Sequence, residues 1–226
     1  MTDRPVALIT GASRGIGLAV ARRLAPTHDL LLGGRDADAL SRATDLPNAT
    51  PWPVELTDDR ALADATAALS RLDLLVHSAG LAELGTLVGT TADTWRRTLE
   101  LNVVAVAELT RLTLPLLRAA NGHVVLVNSG AGLRANPGWG AYAASKFALR
   151  AYADVLRAEE PGLRVTSIHP GRVDTDMQRG IRAQEAGDYE PDRYLTADSV
   201  AKAVLAAVEA DEDAHVTEVV LRPRPR

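Results

Sequence analysis

"VALITGASRGIGLAVARRLA", residues 6–25, decides the fold. Its opening, "VALIT" (6–10), is a short apolar run of strand-forming character that ends at Gly11. Its close, "GLAVARRLA" (17–25), repeats apolar residues at helical spacing and stops before Pro26. Between them lies "TGASRGIG" (10–17), whose glycines Gly11, Gly15 and Gly17 are spaced G-x3-G-x-G. A strand, a glycine turn and a helix in that order leave unpaired backbone N–H groups at the helix N-terminus. Small residues there let a pyrophosphate approach them. The common dinucleotide fingerprint is G-x-G-x-x-G; this is a variant with the same physics. A glycine-rich turn by itself is weak evidence, so its weight depends on the elements around it.

Those elements alternate. After the first helix come a strand at "DLLLGGR" (29–35), a helix at "DADALSRAT" (36–44) and a strand at "TPWPVEL" (50–56). "DDRALADATAALSRL" (58–72) reads as a helix capped by Thr57, and "LDLLVHSAG" (72–80) as a strand and turn. One long helix is expected over 91–120, then a strand at "HVVLVNS" (123–129) and a helix from "YAASK" (142–146) to Glu160. "LRVTSIH" (163–169), "ADSVAKAVLAAVEA" (197–210) and "HVTEVVL" (215–221) complete the order as strand, helix and strand. The strands are continuous apolar runs, as expected where both sheet faces are covered. The pattern predicts α/β architecture: a single Rossmann-type, doubly wound parallel sheet of about seven strands in one domain over 1–226. The polar, weakly periodic stretch 172–196 is expected to be a mobile lid over a site at the strand C-terminal ends.

Composition narrows the function. Of 226 residues, 46% are hydrophobic and 24% charged, ordinary for a soluble domain. Aromatic residues are only 4%, so the core must be built from Ala, Val, Leu and Ile. The net charge of −4 and the lack of a basic block argue against nucleic acid; the tail "RPRPR" (222–226) reads as a short frayed end. No run reaches the ~20 apolar residues of a membrane span, and no signal peptide is apparent. The chain has no Cys, which excludes thiolate metal sites and suits a reducing compartment; a cytoplasmic location is expected. No His/Asp/Glu grouping has metal-ligand spacing, so no metal is expected.

The second strand bears on cofactor choice. A site for NAD usually has an acid near this strand end, where it accepts from the ribose hydroxyl. Here the strand ends Gly34-Arg35, followed by Asp36. Arg14 lies inside the glycine loop and can converge with Arg35. Two guanidiniums near one ribose favour a 2′-phosphate, so NADP(H) is the expected cofactor.

"YAASK" places Tyr142 and Lys146 four residues apart, on one helical face. Spacing alone would make this an ordinary surface pair. The surrounding motifs change that reading. With "TGASRGIG", "LVHSAG" (75–80), Asn102 in "LELNVV", Ser129 in "LVNSG", "YAASK" and "HPGRVDT" (169–175), all in order, the chain resembles the classical short-chain dehydrogenase/reductase family over nearly its whole length. Tyr142 follows Ser129 by 13 residues (142 − 129), the family's usual separation.

The resemblance implies roles. Tyr142 would be the general acid/base, and Lys146 would hold the ribose hydroxyls and lower the Tyr142 pKa. Ser129 would hydrogen-bond the substrate oxygen, and Asn102 would anchor a water in the proton relay. Gly11, Ser13, Arg14, Gly15, Ile16 and Gly17 would line the phosphate and ribose region. Ala79 and Gly80 would pass beside the adenosine ribose, and Pro170, Gly171, Val173 and Thr175 would frame the nicotinamide. Leu133, Trp139 and Met177 are expected in the substrate pocket. The helices 91–120 and 140–160 would pack against their copies, giving a homodimer or homotetramer.

The chemistry calls for these residue types. Carbonyl reduction puts negative charge on oxygen as hydride reaches carbon, and a donor must protonate that oxygen. A phenol with its ordinary pKa of about 10 cycles poorly near neutrality, while a nearby ammonium favours phenolate. Ser129 adds a hydrogen bond where charge develops. The partner is therefore expected to be a small carbonyl or alcohol substrate. Two features depart from the family pattern. Ser78 replaces the usual Asn before Ala79-Gly80, and Glu55, followed by Leu56, is the nearest acid for the adenine side. The lid is also short, which implies an open pocket. Two alternatives stand beside an oxidoreductase: a non-catalytic protein sensing NADP(H), which could dispense with Ser129, Tyr142 or Lys146, and a sugar-nucleotide epimerase or dehydratase, which normally needs a larger C-terminal part. His77 and His169 stand at strand ends and read as hydrogen-bonded structural residues. Arg179 and Arg182 read as a solvated face of the lid.

Overall fold

The computed structural model describes residues 4–42, 45–211 and 213–224. Strand and helix alternate as β1 (Val6–Thr10), α1 (Gly15–Leu24), β2 (Asp29–Gly34), α2 (Ala37–Arg42), β3 (Ala49–Pro53), α3 (Asp59–Ala67), β4 (Leu74–His77), α4 (Ala92–Leu99), α5 (Ala105–Ala119), β5 (His123–Val127), α6 (Gly140–Glu159), β6 (Arg164–Pro170), β7 (Val173–Asp174), α7 (Asp176–Gln184), β8 (Leu195–Thr196), α8 (Ala197–Val208) and β9 (Glu218–Leu221). Seven strands form one parallel sheet in the order β3-β2-β1-β4-β5-β6-β9. The short β7 and β8 pair separately. Pro51 and Pro53 lie in β3, which has an unpaired side because it is an edge strand.

The continuous apolar runs serve two cores. Along β1, Ala7 and Ile9 enter one cluster with Val20, Leu24 and Val204, while Leu8 enters the other with Leu109, Leu117 and Leu149. In β5, Val125 joins the first cluster while Val124 and Leu126 join the second. Side chains alternate faces at every residue, so an uninterrupted apolar strand seals against helices on both sides. α1 and α8 cover one face; α3, α5 and α6 cover the other. Leu8 is fully buried, and truncating such a residue to Ala costs about 2–5 kcal/mol.

Three local expectations are corrected. α3 is capped by Asp58, whose carboxylate accepts from Arg60 N at 3.1 Å and Ala61 N at 3.0 Å; Thr57 instead bonds Glu55. The helix stops at Ala67, short of Leu72, and Asp73 accepts from Val6 N of β1 at 2.8 Å. The single helix expected over 91–120 is interrupted by a π-turn at Glu100–Val104. Its cause is Asn102, whose buried carboxamide is held by neighbours outside the helix. Of the helix expected over 36–44, residues 43–44 lie outside the described residues, as do 225–226 of the tail.

The chain winds outward in opposite directions from β1 and β4, which are neighbours in the sheet. A crevice opens at such a reversal, beyond the strand C-terminal ends. Gly11 ends β1 and Ala79 follows β4. They pass so closely that a β-carbon on Gly11 would stand 2.9 Å from Ala79 N and Cα.

Candidate active site

The glycine turn is built around two positions that exclude a side chain. Gly11 and Gly15 have φ of 66° and 57°, in the left-handed region that favours glycine. A β-carbon on Gly17 would meet the Gly11 carbonyl oxygen at 2.3 Å. The Thr10 hydroxyl accepts from Ser78 N at 3.0 Å and Ala79 N at 3.1 Å, locking the loop after β4 against the turn. The resulting cradle at the N-terminus of α1 is bare backbone, which suits a pyrophosphate.

From this cradle a cleft runs across the sheet in two connected lobes of about 430 Å³ and 400 Å³. Gly11, Ser13, Arg14, Gly15, Ile16 and Gly17 line the first lobe, with Arg35, Glu55 and Leu56 at its far wall. Ser78, Ala79, Gly80 and Thr175 border both lobes. Pro170, Gly171 and Val173 line the second lobe with Ser129, Tyr142, Lys146, Trp139 and Met177. Leu133 is a correction: it is half-buried outside the cleft, because the short helical turn at Gly130–Gly132 points Arg134 into the lobe instead.

Arg14 and Arg35 both face the first lobe and are largely exposed. Arg14 Nη1 lies 3.2 Å from Asp176, and Arg35 Nη1 lies 3.6 Å from Glu55. Asp36, the first acid after β2, caps α2 by accepting from Ala39 N at 3.0 Å and does not line the cleft.

At the second lobe, Ser129 follows β5 and starts the turn by accepting from Ala131 N at 3.1 Å. Its side chain and that of Tyr142 face the same lobe. Tyr142 sits in the first turn of α6, and Lys146 is one turn further, with Nζ 5.8 Å from the centre of the tyrosine ring. Both are buried, at 6% and 5% exposure. Lys146 donates to the Val127 carbonyl at 3.0 Å, and burial lowers its pKa to about 8. The expected lowering of the Tyr142 pKa is not what the structure gives. Burial pushes the phenol above its ordinary value, and the nearby Ser129 side chain pulls it partly back.

Asn102 lies behind the cleft, 1% exposed. Its Oδ1 accepts from Leu81 N at 2.9 Å, and its Nδ2 donates to Leu81 O and to the Ser145 hydroxyl, each at 3.0 Å. Ser145 in turn donates to the Tyr142 carbonyl at 2.7 Å. Both amide hydrogens of Asn102 are therefore committed to protein, and the residue clamps the loop after β4 to the first turn of α6. His77 is a buried partner of Thr110 at 2.9 Å, and burial lowers its pKa to about 3. His169 is fully buried, with Nδ1 3.2 Å from the Ser129 carbonyl. Trp139 packs edge-on to Tyr142, centroids 5.8 Å apart, with the Arg172 guanidinium 5.7 Å from its ring.

The segment 172–196 is folded into β7, α7 and β8, and α7 brings Met177, Gln178 and Ile181 to the lobe. Arg179 and Arg182 pair with Asp174, Asp176 and Glu185 and do not line it. Arg222, from the tail expected to fray, does line it: β9 runs parallel to β6 with Leu221 opposite Pro170, so the next residue lands at the cleft. A sequence reading that paired these two strands would find it.

A glycine cradle at the sheet's reversal point, continuous with a lobe lined by Ser129, Tyr142 and Lys146, defines a dinucleotide-binding α/β enzyme class. The chain belongs to the short-chain dehydrogenase/reductase family: the family model for short chain dehydrogenase matches residues 5–186. It is 34% identical to glycine betaine reductase ATRR of Emericella nidulans over 97% of this chain, which spans only 19% of that longer protein. Among solved structures, an alcohol dehydrogenase from Thermococcus sibiricus complexed with 5-hydroxy-NADP is similar, with a TM-score of 0.89 and 26% identity over 99% of this chain and 98% of that one. A serine dehydrogenase complexed with NADP+ has a TM-score of 0.87 and 26% identity over 95% and 93%.

Proposed function

We propose that the protein is an NADP(H)-dependent short-chain oxidoreductase that interconverts a carbonyl and a secondary alcohol, with Tyr142 as the acid/base. The observation that carries this reading is that Ser129, Tyr142 and Lys146 together line one end of a cleft that begins in the glycine cradle. The cofactor, when bound, supplies the hydride to carbonyl carbon or accepts it from alcohol carbon.

In reduction, the carbonyl π electrons move onto oxygen, and that oxygen takes the phenolic proton of Tyr142. Ser129 donates to the same oxygen as its charge grows. Lys146 holds the ribose hydroxyls from the floor of the lobe. Asn102 is a positioning residue through its side chain, since its amide hydrogens are spent on Leu81 and Ser145. Residues 172–196 form the cover over the substrate. Arg14 and Arg35, with no acid from β2 facing the lobe, favour the 2′-phosphate of NADP(H), and two solved neighbours named with NADP cofactors agree with that preference. A cytoplasmic homodimer or homotetramer belongs to the same reading. A protein that only senses NADP(H) would have no use for Ser129, Tyr142 and Lys146 together at one lobe.

The test is a panel of aldehydes, ketones and secondary alcohols with NADPH, NADH and their oxidised forms, followed by nicotinamide absorbance. Turnover of at least one carbonyl is expected; tight cofactor binding with no turnover of any member would favour the sensing role.

A further inference from the structure

We propose that the substrate carries an oxyanion, a carboxylate or a phosphate, held in the second lobe beside Gly130 by Arg222 and Arg134; this rests on the reading of Tyr142 as the acid/base. The lobe is lined by Arg134, Lys146, Arg172 and Arg222 and by no Asp or Glu. In a chain of net charge −4, such one-sidedness is not background. The first lobe differs, mixing Glu55, Glu100 and Asp176 with its arginines.

Two of the four cations are already occupied. Arg172 is held by both oxygens of Glu185 at 2.9 and 2.8 Å, and Lys146 donates to Val127. Arg222 is different. Its Nη1 donates to the carbonyls of His169 and Leu221 at 3.0 and 2.9 Å, and its guanidinium lies flat over Gly130, beside Ser129. It has no carboxylate partner among the described residues. The nearby Glu218 is taken by Arg150 at 2.9 Å. Arg134 likewise has no ion pair among the described residues. On a third side, α7 contributes Gln178, whose amide nitrogen is buried without a hydrogen-bond partner. Two guanidiniums without a carboxylate partner among the described residues and an orphaned donor around one lobe form a site for an acceptor that carries negative charge. Trp139, Met177 and Ile181 supply the apolar part of the same lobe.

The test uses matched pairs: oxo-acids of three to six carbons against their methyl esters, and dihydroxyacetone phosphate against dihydroxyacetone. Binding to the cofactor-saturated protein is measured by calorimetry, and turnover separately. At least one anion should bind about tenfold or more tightly than its neutral twin, the lower end for a charge-assisted hydrogen bond. The pair that discriminates tells carboxylate from phosphate. Arg134→Gln, at a side chain with no hydrogen bond or ion pair among the described residues, and Arg222→Gln should each reduce the preference; Arg222→Lys should restore part of it. Neutral twins binding as well as the anions, no anion binding, or a preference unchanged in both Gln variants would overturn the proposal. Arginine-dependent anion binding without turnover would leave the site standing and refute the acid/base reading instead.

Discussion

Arg35 Nη1 stands 3.6 Å from Glu55 Oε2, across the wall of the first lobe. Arg35 is 79% exposed, so this ion pair is weak and leaves the guanidinium free to turn to a ligand phosphate. NADPH is therefore expected to bind more tightly than NADH, by about 1–3 kcal/mol. Arg35→Ala should remove most of that difference and leave NADH affinity nearly unchanged. Dissociation constants for both cofactors at fixed salt check this; an NADH preference in the unaltered protein would contradict it.

Stability should fall in mild acid. His77 and His123 are buried, and burial lowers both pKa values to about 3 from an unfolded value of about 6.5. Between those values the unfolded chain binds protons that the folded chain refuses. Stability is thus full above about pH 6.5 and is lost as pH drops towards 3, by about 1.4 kcal/mol per pH unit for each group. Urea unfolding at pH 7 and pH 5 should show the loss. His77→Gln, which can still bond Thr110, should make the slope shallower; an unchanged slope in that variant would assign the loss elsewhere.

Assembly is expected through α5 and α6. Phe147, Ala151 and Val155 recur every fourth residue on an exposed face of α6, and Val104 is exposed just before α5. An apolar stripe of this kind suits the core of an interface between copies. Light scattering at micromolar concentration should give a multiple of 24.0 kDa, and the double variant Phe147→Glu, Val155→Glu should give the monomer. A monomer before any substitution would refute it.

The sheet was legible because its strands are uninterrupted apolar runs and its helices are periodic, both consequences of burial on two faces. The glycine cradle was legible for a related reason: a side chain at Gly11 or Gly17 would collide with backbone, so the constraint appears in residue type. The π-turn was hidden, since Glu100–Val104 is as periodic as its flanks and its cause, Asn102 bonding Leu81 and Ser145, is tertiary. Asp58 and Thr57 are both good caps, and only the claim of Glu55 on Thr57 decides between them. Arg134 displaces Leu133 at the cleft because a single short helical turn sets which side chain points inward. Arg222 depends on the parallel register of β6 and β9, which no local pattern encodes.

The most direct measurement is the turnover of Tyr142→Phe on any accepted carbonyl, with NADPH binding measured separately. Removing the hydroxyl deletes the proton donor while keeping the ring against Trp139. Turnover should fall by at least ~100-fold with NADPH affinity near that of the unaltered protein, whereas Lys146→Ala should lose both together. A Tyr142→Phe protein that keeps more than about half its turnover would contradict the assignment of Tyr142 as the acid/base.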